Sequence, residues 1–288
     1  MSTHTNSRLG ANTSATTRAT TRGALRATAC VAIALLTGTL MQIGTSRAED
    51  STTQSTATQA DSTQAAFCNT TEYEPYVEYM GTQLLYFRPD TGRLSMSANA
   101  KCPRYALSLA KLYIADYVIR YGDEDEAEQA EYMVAHSDDD LAAEFYEKYP
   151  ESIDVIATEY GLEATQGQEL WGNAVTSAFD IAEFIAAKLA QEAENSANGL
   201  EDPSDPVLRA MRNMSDMATD GYPQDFGTTI LPGAQGTKLG WSNDETMHSS
   251  VTFGTDSQGH PYIAVVSVFG DSIAATRAAR QFFTGLVA

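Results

Sequence analysis

Apolar and polar positions alternate from Thr82 to Ser97 on either side of Pro89-Asp90-Thr91-Gly92. Proline and glycine at those places are turn chemistry, so the stretch predicts a β-hairpin. From Pro103 to about Ala218 the apolar spacing changes to that of helices. The predicted helices are Tyr105 to Tyr121, an acidic stretch from Glu124 to Lys148, Ser152 to Tyr160, Thr176 to Glu194, and Pro206 to Met217. Strands return at Thr237 to Trp241, Ser249 to Gly254 and Tyr262 to Phe269, with Asp256-Ser257-Gln258-Gly259 as the last turn, and Ser272 to Leu286 reads as a closing helix. The order of strands, many helices, strands and helix defines an α+β class, with antiparallel strands from both chain ends expected to share one sheet. The helical part spans approximately residues 122–225, and no internal repeat is visible.

The region before Phe67 carries a different pattern. Arg8, Arg18, Arg22 and Arg26 precede an apolar run from Ala29 to Met41, and Ser46 and Ala48 form an A-x-A-like site before Glu49. Residues 1–48 therefore read as an export signal, with an apolar run shorter than the ~20 residues that span a bilayer. Cleavage and retention as an anchor both remain open, and either places the rest of the chain outside the cytoplasm. Membrane contact is expected only through this segment. Residues 49–66, rich in Ser, Thr, Gln and Ala, read as a disordered spacer, leaving 67–288 as the folded domain.

Charge and cysteines narrow the partners. A formal net charge of -20 opposes binding to phosphate backbones and anionic lipids, so no nucleic-acid partner is expected. Cys30 falls inside the signal, leaving Cys68 and Cys102. In an exported chain they are either a disulfide, worth about 3 to 4 kcal/mol on the chain-entropy account, or two buried thiols. His136, His248 and His260 lack metal-ligand spacing, and Asp123-Glu124-Asp125-Glu126 lacks the glycine of a calcium loop. No metal and no cofactor are expected, and the acidic run reads as a solvated helix start.

The candidate chemistry lies in Tyr105 to Ile119. Its strongly polar side chains are Ser108, Lys111 and Asp116, and apolar residues occupy the other faces, as in a helix buried nearly all round. A buried ammonium without a partner tends to lose its proton. Ser and Lys at i and i+3 share one side of a helix, about 5 to 6 Å apart at Cβ. The amine can then take the hydroxyl proton, and a desolvated lysine is a suitable base for that task.

Two further triplets follow in order, Ser137-Asp138-Asp139 and Lys238-Leu239-Gly240. With Ser108-x-x-Lys111 they resemble the S-x-x-K, S-D-N and K-T-G elements of penicillin-binding proteins and class A β-lactamases. Ala106 to Gly122, Thr176-Ser177-Ala178-Phe179-Asp180 and Gly236-Thr237-Lys238-Leu239-Gly240-Trp241 add to the likeness, which covers about Phe67 to Ala288 and is nearest to a secreted actinobacterial-type branch. The resemblance implies the β-lactamase/transpeptidase-like fold, an antiparallel sheet flanked by helices with an all-helical subdomain. It also implies a serine hydrolase or acyltransferase acting through an acyl-enzyme on an amide or ester, such as a peptidoglycan peptide or another small-molecule substrate.

By the same resemblance Ser108 attacks the carbonyl and Lys111 accepts its proton. Ser137 relays a proton to the leaving nitrogen, and Lys238 holds the substrate carboxylate and tunes Ser137. The backbone N–H groups of Ser108 and Trp241 form the oxyanion hole, while Asp139, Thr237 and Gly240 line the substrate groove. Two positions depart from the pattern: Asp139 replaces an Asn that donates an amide N–H, and Leu239 replaces a hydroxyl residue. Glu169, with Asn173 four residues on, is the nearest candidate for a deacylating base. An inactive binding protein that keeps the fold, and a genuine β-lactamase, are the two alternatives.

Overall fold

The computed structural model describes residues 81–287. The expected export signal, the spacer, the domain start at Phe67 and Cys68 lie outside the described residues. Seven strands and seven α-helices follow in chain order: β1 (Gln83–Arg88), β2 (Arg93–Met96), β3 (Arg104–Tyr105), α1 (Ala110–Tyr121), α2 (Glu124–His136), α3 (Asp139–Lys148), α4 (Ser152–Tyr160), β4 (Val175–Thr176), α5 (Ala178–Ala197), α6 (Pro206–Arg212), β5 (Ala234–Trp241), β6 (Met247–Thr255), β7 (Pro261–Phe269) and α7 (Ser272–Phe283).

Five strands form one antiparallel sheet in the order β2-β1-β7-β6-β5, and β3 pairs with β4 in a two-stranded ribbon. The expected sharing of one sheet by both chain ends is the β1–β7 pairing, Gln83 opposite Ser267 through Phe87 opposite Ile263. Alternation along the strands gives the sheet two apolar faces. One face, with Leu85, Phe87, Val251, Phe253, Ile263 and Val265, packs against the helical layer built around α1. On the other, Tyr86, Leu239, Ala264, Val266 and Val268 pack against Ala275, Ala279 and Phe283 of α7.

Several helix boundaries differ from the sequence reading. The acidic stretch from Glu124 to Lys148 is two helices, because Ser137 takes a left-handed conformation (φ 54°) as the C-cap of α2 and Asp138 caps α3 through its side chain. The acidic run is the start of α2, where Asp123 and Glu126 form a reciprocal capping box. The helix expected over Tyr105 to Tyr121 opens instead as a strand residue followed by a 3-10 turn, Leu107–Leu109, ahead of α1. Thr176 belongs to β4, with Ser177 capping α5, and the helix from Pro206 stops at Arg212.

Asp116, the third polar residue of the nucleophile segment, anchors the helical layer. Lys188 of α5 donates to Asp116 at 2.5 Å and pairs with Asp205 at 2.7 Å, all three nearly inaccessible. Burial pulls the Lys188 amine down, but the two carboxylates outweigh it and its pKa is raised.

Candidate active site

Ser108 sits in the 3-10 turn that feeds α1, and Leu107 before it has φ 54°. A left-handed conformation is uncommon for a leucine and holds about 1 to 3 kcal/mol of strain. The turn is held from outside: Ala106 N–H donates to Ala174 O at 2.8 Å, and β5 passes against it. A Cβ on Gly240 would lie 2.8 Å from Ser108 N and 2.9 Å from Leu107 Cβ, so only glycine lets the strand come this close.

Lys111 and Ser108 meet as the i, i+3 spacing predicts, with Lys111 Nζ 2.8 Å from Ser108 Oγ. Lys111 is fully buried and Ser108 is 6% exposed. Nζ also donates to Ser137 O at 3.2 Å and Asp139 Oδ1 at 2.5 Å, and lies 4.4 Å from the centre of the Trp171 ring. These three acceptors use all the N–H groups of an ammonium. A neutral amine keeps the last two bonds and accepts from the Ser108 hydroxyl, so the pocket accommodates both states of a base. Burial pulls the Lys111 pKa below the ordinary lysine value, and Asp139 opposes that pull.

The second lysine occupies the same buried chamber. Lys238 Nζ donates to Ser137 Oγ at 2.7 Å and is fully buried. Burial first, and then the positive charge of Lys111, pulls its pKa well below the usual value, with Asp139 and Asp220 opposing. Ser137 thus links the two lysines, its carbonyl to Lys111 and its hydroxyl to Lys238.

On its Ser108 and Asp139 side this chamber borders a cleft of about 1260 Å³ between the helical layer and the sheet edge. Ser108, Asp139, Glu169, Asn173 and Trp241 all line it. β5 is the edge strand, and Ser242 N–H donates inward to Met247 O, so strand alternation turns the Trp241 N–H outward to the free edge. The Ser108 N–H belongs to a helix's first turn, where backbone donors lack intrahelical acceptors. Ser108, Lys111, Ser137, Lys238, Gly240 and Trp241 are therefore brought together.

Thr237 is not brought to the cleft. Being next to Lys238 on a strand, it faces the opposite side, where its hydroxyl bonds Thr252 at 2.7 Å in a buried threonine network. This corrects its expected place in the groove. Leu239 points the same way and is wholly buried in the core against α7. Asp139 stands at the cleft wall, as expected of the groove, but its carboxylate is engaged by Lys111. Glu169 is an exposed cleft residue, and its side chain makes no hydrogen bond among the described residues.

Another wall of the cleft is the loop before β4, in which the sequence pattern singled out only Glu169 and Asn173. Thr165 bonds both Thr176 (2.9 Å) and Asp180 (2.7 Å), and Thr176 bonds Tyr113 of α1 at 2.8 Å. Gln168 O accepts from Tyr146 at 2.7 Å and Gly167 N–H donates to Asp154 at 2.7 Å. A Cβ at Gly167 would lie 2.7 Å from Tyr146 Oη, so a larger residue here would push on the tyrosine hydroxyl that bonds Gln168 O. Trp171 reaches Lys111 from this loop, a contact 60 residues apart that no local signal announces. Among the described residues no group of His, Cys, Asp or Glu is arranged to hold a metal.

This sheet, helical layer and cleft define the serine β-lactamase/penicillin-binding-protein fold. No protein-family model matches the chain and no curated protein does. Solved structures do. PBP-A superposes with TM-score 0.51 at 16% identity, over 76% of this chain and 92% of its own. A point mutant of PBP-A, solved as an acyl-enzyme complex with penicillin G, gives 0.53 at 16% over 78% and 93%. A β-lactamase from Chitinophaga pinensis gives 0.52 at 13% over 79% and 98%.

Proposed function

We propose that the chain is an exported serine hydrolase or acyltransferase that works through an acyl-enzyme on Ser108, with an amide or ester of a cell-envelope peptide as substrate. The observation that carries this reading is the 2.8 Å contact between Ser108 Oγ and a fully buried Lys111 Nζ at the wall of a large cleft. Ser108 Oγ bonds to the acyl carbon while its proton passes to Lys111 Nζ. The Ser108 and Trp241 N–H groups hold the developing oxyanion. The bond from the acyl carbon to the leaving group breaks as that group takes a proton from Ser137 Oγ, which Lys238 resupplies. Water or an acceptor amine then bonds to the acyl carbon and gives up a proton through Ser137 to Lys238, while the ester bond breaks and Lys111 returns its proton to Ser108 Oγ. Export through the N-terminal signal and a Cys68–Cys102 disulfide belong to the same reading.

Hydrolysis of small thioesters by the domain from Phe67 onward tests it. Wild type is expected to turn over, and Ser108→Ala to lose at least a hundredfold in kcat/KM; equal rates in the two proteins refute the reading. One observation favours a second reading, a binding protein that keeps the fold: the Lys111–Asp139 ion pair holds the base toward its charged form. That reading predicts ligand binding unaffected by Ser108→Ala and no acylation of wild type. Rapid β-lactam hydrolysis has less support, because Glu169 touches neither Ser108 nor Lys111.

A further inference from the structure

We infer that the cleft selects ligands carrying a protonated amine or a guanidinium close to the reacting carbonyl, with Asp139 as the specificity-determining contact. The inference rests on the acyl-transfer reading of this cleft, because Ser108, nine-tenths buried yet part of the wall, fixes where a ligand's carbonyl goes.

Asp139 is the wall carboxylate that bonds the lysine beside Ser108. Its side chain is 59% exposed; Oδ1 accepts from Lys111 at 2.5 Å, and Oδ2 has no protein partner among the described residues. A carboxylate oxygen can only accept, so the ligand atom that meets it must be a donor. The rest of the wall has the same sign. Among the described residues Glu147 and Glu169 have no side-chain hydrogen-bond partner, and Asp154 spends one oxygen on Gly167 N–H. Among the described residues no lysine or arginine lines the cleft; Lys111 and Lys238 lie behind it, fully buried.

A carboxylate-ended ligand finds little here. The hydroxyl nearest Lys238 on β5, that of Thr237, is bonded to Thr252 on the far face of the sheet, and Leu239 is packed against α7. A cation, in contrast, meets Asp139 and the Trp171 ring, whose face already holds the Lys111 ammonium at 4.4 Å. The net charge of -20 draws cations toward the molecule over a longer range.

Both tryptophans of the chain, Trp171 and Trp241, line the cleft, so their fluorescence reports binding directly. The titration uses Ser108→Ala protein and three probes, N-acetyl-lysyl-alaninamide, its norleucyl analogue and its glutamyl analogue. The lysyl probe is expected to bind at least tenfold more tightly than the norleucyl one, with the glutamyl probe weakest. The lysyl preference should fall below threefold in Ser108→Ala/Asp139→Asn protein and in 1 M NaCl. Equal affinities, a tighter glutamyl probe, binding of none of the three, or a lysyl preference that survives Asp139→Asn each overturn the inference. Because this protein has no nucleophile, a failure here is separate from a failure of the thioester assay, which tests acylation itself.

Discussion

Replacing Asp139 by Asn removes the one negative charge among the described residues that Lys111 Nζ touches, at 2.5 Å, while keeping side-chain size and an oxygen acceptor at Oδ1. Asp139 is 59% exposed, so solvent screens the pair. With charge centres about 4 Å apart and an effective dielectric of ~40 to 80, Coulomb's law gives about 1 to 2 kcal/mol. At 1.36 kcal/mol per unit that is about one pKa unit. The sign follows from the two opposing causes at Lys111: burial lowers its pKa and Asp139 raises it. Without the carboxylate, burial is less opposed and the amine becomes neutral at lower pH. Single-turnover acylation by an uncharged thioester, followed from pH 6 to 10, should therefore show its ascending limb moved down by about one unit, with the rate at pH 7 raised by up to ~tenfold. A limb that stays in place or moves up refutes the assignment of Lys111 as the base held by Asp139.

Gly240→Ala puts a Cβ against Ser108 N and the strained Leu107, neither of which can retreat, so kcat/KM should fall by about 100-fold with the circular dichroism unchanged; activity within threefold of wild type would show that the strand does not position the nucleophile. Lys188→Met leaves Asp116 and Asp205 buried without their shared cation, and urea unfolding should report a loss of about 3 to 5 kcal/mol; a change under 1 kcal/mol would refute the anchoring role. Glu169→Gln should leave the decay of the acyl-enzyme unchanged, because Glu169 bonds to neither Ser108 nor Lys111; a tenfold longer-lived adduct would make it the deacylating base.

Local periodicity made the nucleophile legible: an i, i+3 spacing on an apolar segment needs no tertiary information, and the Ser108–Lys111 contact follows from it. The sheet was legible for a similar reason, since alternation and turn residues at both chain ends are short-range signals. The 3-10 opening before α1 was not, because Leu107 adopts positive φ only where Ala174 and Gly240 press on the turn. The placement of Thr237 could have been read, because neighbours on a strand face opposite sides and Lys238 already claimed the cleft side. The ion pair from Lys111 to Asp139, 28 residues apart, and the approach of Trp171 depend on how the helices and the loop before β4 pack. No pattern within either segment encodes them.

The central claim is that Ser108 is acylated by an amide or ester carbonyl. Intact mass of the domain after incubation with an amine-bearing β-lactam, followed by peptide mapping, tests it most directly. The account predicts one stoichiometric adduct on the peptide containing Ser108, absent in Ser108→Ala protein. No adduct, or an adduct carried by any other residue, contradicts it.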